Sequence, residues 1–133
     1  MSENFQNLSS GLEDYIETIY IAHLNNIPLK GAELARQLKI SRASVSEALS
    51  KLVKKRLIKY SSYEAITLTK EGIATAQNIY SKHNILKKFF EKVLDIPTDI
   101  AEENACKIEH IISSEILNKM IIFTDSYPEK IHQ

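Results

Sequence analysis

The sequence predicts a mainly α-helical protein in two parts, and three observations predict it. Apolar residues recur at helical spacing in six separate stretches, two short β-type runs stand mid-chain, and basic residues crowd one segment of a neutral chain. The 133 residues are 44% hydrophobic, enough for one compact unit or two small subdomains sharing a core. Seventeen basic and 17 acidic residues cancel, so no global charge advertises a nucleic-acid or membrane partner. No apolar run approaches the roughly 18 residues that span a bilayer. The first 30 residues lack a basic start followed by an apolar stretch, which predicts a cytoplasmic protein. The single cysteine, Cys106, excludes an internal disulfide.

Residues 1–8 read as disordered. From Ser10, Leu12, Tyr15, Ile16, Ile19, Tyr20, His23 and Leu24 form one stripe, with Ser9 or Ser10 as cap. Asp14 and Glu17 lie together off that stripe, where acids in a first turn also complement the helix dipole. After the Asn25–Pro28 turn, Gly31 to Leu38 forms a short helix. Ser41 is placed to cap a second, from Arg42 to about Lys55, with Val45, Leu49, Leu52 and Val53 buried. Two short helices on a tight connection suit a helix-turn-helix, whose second helix enters the major groove.

Charge supports that reading. Between Lys30 and Lys59 there are nine basic residues against two acids, Glu33 and Glu47. Small polar residues open the second helix: Arg42, Ser44 and Ser46 can reach phosphates or base edges, and Ala43 leaves room for a thymine methyl. The candidate DNA contacts are Arg36, Lys39, Ser41, Arg42, Ala43, Ser44, Ser46, Lys51 and Lys59. Leu57–Tyr60 and Ala65–Leu68 then read as two strands around a turn, the wing of a winged helix-turn-helix. Thr69 caps a long helix with Ile73, Ala76, Ile79, Tyr80, His83, Leu86 and Phe90 on one stripe. Within that stripe His83 reads, by itself, as a hydrogen-bonded core histidine.

Asp95–Thr98 breaks the helix, and Thr98 can cap the next one. There Cys106, Glu109 and His110 stand at i, i+3 and i+4, which a helix brings onto one face. These are metal-ligand types. The apolar stripe of Ile100, Ala101, Asn104, Ala105, Ile108, Ile111 and Ile112 lies opposite. A cysteine on a face that should be solvated suggests a cover, for which a metal held by other segments is one candidate. Ser113 or Ser114 caps a last helix with Ile116, Leu117, Met120 and Ile121, and the chain after Asp125 is expected to fray. The half after Ala76 carries more apolar helix surface than three helices can bury on each other, which predicts a dimer.

These residues resemble the family of metal-dependent transcriptional regulators that includes the diphtheria toxin repressor and the manganese transport regulator. Four motifs carry the resemblance in order: Glu13–Tyr20, Ile40–Ser46, the wing running into Leu68-Thr69-Lys70-Glu71-Gly72, and Ala105–His110. It implies a winged helix-turn-helix DNA-binding domain over residues 1–75 and an all-helical metal-binding and dimerisation domain over residues 76–133. The short chain is similar to the manganese-type branch, without the C-terminal SH3-like domain of iron-type members. By resemblance the metal ligands are Asp14, Glu17, His83, Cys106, Glu109 and His110. Cys106 stands where the manganese branch has glutamate, Asp14 where the iron branch has methionine, and Lys87 where the iron branch has an acidic ancillary ligand.

Hard oxygen ligands suit Mn²⁺ and a thiolate shifts preference toward Fe²⁺, Co²⁺ and Zn²⁺. Fe²⁺ or Mn²⁺ is therefore the expected cofactor, with Fe²⁺ slightly favoured and a single ion expected. The implied function is a homodimeric repressor that binds double-stranded operator DNA when metal-loaded and controls metal-uptake genes, with no membrane partner and no small organic substrate. A competing reading keeps the winged helix but makes Cys106 a redox switch. An enzyme is disfavoured because the sequence offers neither a nucleophile arrangement nor a Gly-rich loop.

Overall fold

The computed structural model describes residues 8–61 and 63–129. The expected disorder of residues 1–8 falls, Leu8 apart, outside the described residues, as does the end of the C-terminal tail. Among the described residues the order is α1 (Ser10–Leu24), α2 (Gly31–Leu38), α3 (Arg42–Lys54), β1 (Ile58–Lys59), β2 (Thr67–Leu68), α4 (Lys70–Lys92), α5 (Thr98–Ile108) and α6 (Ser114–Ser126). The chain divides into two compact units, Met1–Asn78 and Ile79–Gln133, with the division falling inside α4. No helix among the described residues is long and apolar enough to cross a membrane.

In the first unit, each helix starts where a side chain or backbone oxygen can satisfy its first amides. Ser9 Oγ accepts from the Leu12 amide, Glu33 Oε1 accepts from the Lys30 amide, and Ser41 Oγ accepts from the Ser44 amide. Lys39 ends α2 in the left-handed region (φ 58°) and sets up the turn into α3. Ile16, Ile19, Leu34, Val45, Leu49, Leu52, Leu57 and Ile58 form the core. Val53, expected inside, is exposed, because Ala48 takes the place beside Leu49 and Leu52 on the buried face. His23 and Leu24 are also exposed at the end of α1.

The wing is shorter than the sequence suggested. Its antiparallel register pairs Ile58 with Leu68 and Lys59 with Thr67, and Ile66 donates instead to the Leu29 carbonyl at 2.8 Å. Thr69 joins wing to helix: its hydroxyl donates to the Arg56 carbonyl (2.7 Å) and accepts from the Gly72 amide (3.0 Å). Gly72 must be glycine, since a Cβ there would stand 1.9 Å from the Leu57 carbonyl oxygen.

In the second unit, Leu86 of α4, Ala105 of α5 and Leu117 of α6 form the buried centre, with Ile85, Phe90, Ile108, Ile112 and Met120 packed around it. Pro97, not Thr98, is the N-cap of α5, and no side chain caps it; Thr98 is the first helical residue. Ser113 caps α6 by accepting from the Ile116 amide. That helix runs to Ser126, and beyond it Glu129 pairs with Lys92 at 3.0 Å. Three residues assigned to buried stripes are exposed instead: Ile100, Ile111 (82%) and Ile116. For Ile111, the stripe assumed one continuous helix through Ile112, whereas α5 ends at Ile108 and a turn redirects the chain from there.

Candidate functional site

His83 is held on α4 with its side chain only 6% exposed, between two carboxylates delivered by α5 and its end. Nδ1 lies 2.7 Å from Glu109 Oε1, and Nε2 lies 2.7 Å from Glu102 Oε2. The sequence pattern put Glu109 on a solvated face; it is 1% exposed. The reason is that Glu109 is the C-cap of α5, where its amide still reaches the Ala105 carbonyl while its side chain packs inward against His83. His110 comes next on the turn, half-buried, so the Cys106–Glu109–His110 set is not a single helical face.

The two carboxylates differ in environment. Glu109 is enclosed, and its Oε2 is buried without a hydrogen-bond partner. Glu102 is half-exposed and its Oε1 sits 3.2 Å from Lys87 Nζ. Hydrogen bonding to Glu109 raises His83; burial opposes this, Glu102 reinforces it, and the net position is about 9 against an ordinary 6.5. Burial pushes Glu102 up, but its hydrogen bonds to His83 and Lys87 outweigh that and hold it below the usual carboxylate value. Cys106 is exposed and its thiol is 4.0 Å from Glu102 Oε2. Donor atoms of His83, Glu102 and Cys106 all lie within 4.8 Å of one another.

The arrangement fits a divalent cation on its own terms. An enclosed carboxylate oxygen with no donor costs free energy, and a cation against it removes that cost. Imidazole nitrogen, carboxylate oxygen and thiol are also donors that first-row divalent metals accept. Glu102 escaped the sequence reading, yet the signal was present: Glu102, Cys106 and Glu109 stand at i, i+4 and i+7, one row along a helix. Asp14 and Glu17 both lie on α1 in the first unit, Asp14 exposed and Glu17 buried. Burial of Glu17 is a departure from its expected position off the apolar stripe.

In the first unit, α3 buries Val45, Ala48, Leu49 and Leu52 and turns its other face out. Arg36, Lys39, Ser41, Arg42, Ala43, Ser44, Ser46, Lys51 and Lys59 are all exposed. The Ser41 hydroxyl donates to Ser44 Oγ at 2.9 Å, which fixes both hydroxyls at the start of α3.

Two family models match in tandem: iron dependent repressor, N-terminal DNA binding domain, over residues 7–66, and iron dependent repressor, metal binding and dimerisation domain, over residues 69–132. The chain is similar to an uncharacterized HTH-type transcriptional regulator of Methanocaldococcus jannaschii, 38% identical over 93% of this chain and 100% of that one. It is also similar to the transcriptional regulator MntR of Escherichia coli O6:H1, 29% identical over 90% of this chain and 76% of that one. Among solved structures, the manganese regulator SloR matches with a TM-score of 0.75 at 27% identity, over 88% of this chain and 54% of that one. The chain spans about half the length of the diphtheria toxin repressor of Corynebacterium jeikeium, 48%. With both family domains matched in order on a mainly helical fold, the chain belongs to the iron-dependent repressor family of metal-dependent transcriptional regulators.

Proposed function

We propose that the protein is a cytoplasmic, homodimeric repressor, without enzymatic activity, that binds double-stranded operator DNA when loaded with Fe²⁺ or Mn²⁺ and controls metal-uptake genes. The observation that carries this reading is the Glu109 carboxylate, enclosed against His83 with one oxygen lacking a donor. Asp14, Glu17, His83, Cys106, Glu109 and His110 are the proposed ligands. A bound divalent cation supplies the positive charge that lets three carboxylates share one site. The thiol of Cys106 biases the set toward Fe²⁺, the carboxylates toward Mn²⁺, and one ion per subunit is proposed.

Metal occupancy and operator binding are coupled in this reading. His83 has to give up a ring proton to become a ligand, and Glu109 is enclosed beside it. Arg42, Ser44 and Ser46 reach phosphates or base edges, Ala43 leaves room for a thymine methyl, and Lys39, Lys51 and Lys59 add to the basic surface that meets phosphate. Dimerisation is supported by the surface of α6. Ile116, Ile122 and Phe123 are more than half exposed and, with Phe89 and Met120, line an apolar groove. In a two-fold dimer the two α3 helices then read half-sites about 34 Å apart.

The test is selection of binding sites from a randomised duplex pool under anaerobic conditions with Mn²⁺ or Fe²⁺, followed by dialysis of the complex against chelator. Loss of DNA binding on chelation, restored by metal, is the expected result. Binding that survives chelation but disappears with peroxide would favour a Cys106 redox switch instead.

A further inference from the structure

The two ring nitrogens of His83 meet carboxylates in different settings. On the Nδ1 side stands Glu109, enclosed, with an oxygen that has no donor. On the Nε2 side stands Glu102, half in solvent, with one oxygen on the ring nitrogen and the other on the Lys87 ammonium. Both oxygens of Glu102 are therefore engaged, and its charge is already balanced by a cation tethered to α4, one turn beyond His83. A divalent ion brought to Glu102 would meet that ammonium as a like charge a few ångströms away.

We propose that Glu102 is a positioning residue and not a metal ligand: it accepts the Nε2 proton of His83, fixes the ring in the tautomer that presents Nδ1 to the metal, and is itself held in place by Lys87. The inference rests on the metal-dependent function proposed for the chain, and it names which nitrogen of His83 serves as ligand. A histidine that ligates through one nitrogen needs an acceptor for the proton on the other, and a carboxylate in that role also makes the ring a stronger donor. The rival arrangement seats the ion between Nε2, Glu102 and the Cys106 thiol, whose Sγ lies 4.0 Å from Glu102 Oε2.

The two arrangements separate by Co²⁺ substitution in the full-length protein. Co²⁺ affinity, bound stoichiometry and the visible and thiolate charge-transfer bands are measured for the native chain, Glu102→Ala and Glu102→Gln. Removing the acceptor in Glu102→Ala weakens Co²⁺ by about 10- to 100-fold while stoichiometry and band positions stay as in the native chain. Glu102→Gln, whose amide oxygen can still accept from Nε2, stays within a few-fold of native affinity. Shifted bands or altered stoichiometry in Glu102→Ala would make Glu102 a ligand and overturn the proposal. Native affinity in Glu102→Ala, or Glu102→Gln as weak as Glu102→Ala, overturns it equally. A native chain that takes up no Co²⁺ overturns the metal-dependent reading and this inference with it, whereas native binding with any of the other contrary results overturns this inference alone.

Discussion

Arg42, Lys51 and Lys59 stand in solvent on the first unit, whereas His83 and Glu109 in the second are enclosed and meet at 2.7 Å. The first arrangement works by summation. Each exposed cation is screened by salt, costs little to replace, and adds a modest increment to the attraction for a phosphate backbone. The second works by enclosure, because a charge out of water has to be matched by specific partners or its cost is felt in full. A charge on the first surface tunes an affinity; a charge in the second cluster decides whether a ligand binds.

The largest effect that sharpens this contrast is expected from Glu109→Gln. Metal affinity should fall by about 100-fold or more and metal-dependent DNA binding should be abolished, with the chain still folded but its urea midpoint lowered because His83 loses its paired carboxylate. Retained metal response, measured by isothermal titration, would remove Glu109 from the site and erase the distinction between the two units.

Next in size is Arg42→Ala. Affinity for a selected operator duplex should drop by about 1 to 3 kcal/mol while metal affinity is untouched. An unchanged operator affinity would count against Arg42 as a contact. Lys51→Ala should do less, weakening all duplexes alike and lowering the salt slope by about one; sequence-selective loss would show that Lys51 reads bases.

The enclosed cluster also predicts a pH dependence. The folded-state value of His83 is raised, from 6.5 to about 9, so its contribution to stability is fully present below about pH 6.5 and is lost as pH rises through about 9. Metal binding through His83 runs the other way, because the cation competes with a ring proton: affinity should climb with pH up to about 9, at most about tenfold per unit. A flat profile of metal affinity between about pH 6.5 and about pH 8.5 would mean that His83 holds no such proton.

The same contrast explains what the sequence made legible. The α2 and α3 helices fell where their pattern and the Ser41 cap put them, and Thr69 caps α4 as expected, because these signals are local. The basic surface was legible for a similar reason, since the crowding of basic residues between Lys30 and Lys59 locates it. The burial of Glu109 is not legible in its own helical spacing, because it depends on His83, 26 residues earlier, and on α5 ending at Ile108. No helical period carries that information. Glu102 was passed over although its spacing to Cys106 and Glu109 was visible, since a carboxylate on an open helix face usually means nothing more than solvation. Exposed Ile116 and Ile111 show the converse limit: apolar spacing marks a surface for covering without saying whether the same chain covers it.

In the proposed repressor metal occupancy and operator binding are one coupled equilibrium, and linkage makes the coupling directly measurable. If metal raises affinity for the duplex by some factor, the duplex must raise affinity for metal by the same factor. Mn²⁺ titrations of the protein, with and without saturating selected operator, compare the two. Tighter Mn²⁺ binding in the presence of the duplex, by the factor seen in the DNA titrations, is the predicted result, and identical Mn²⁺ affinity in both would contradict the account.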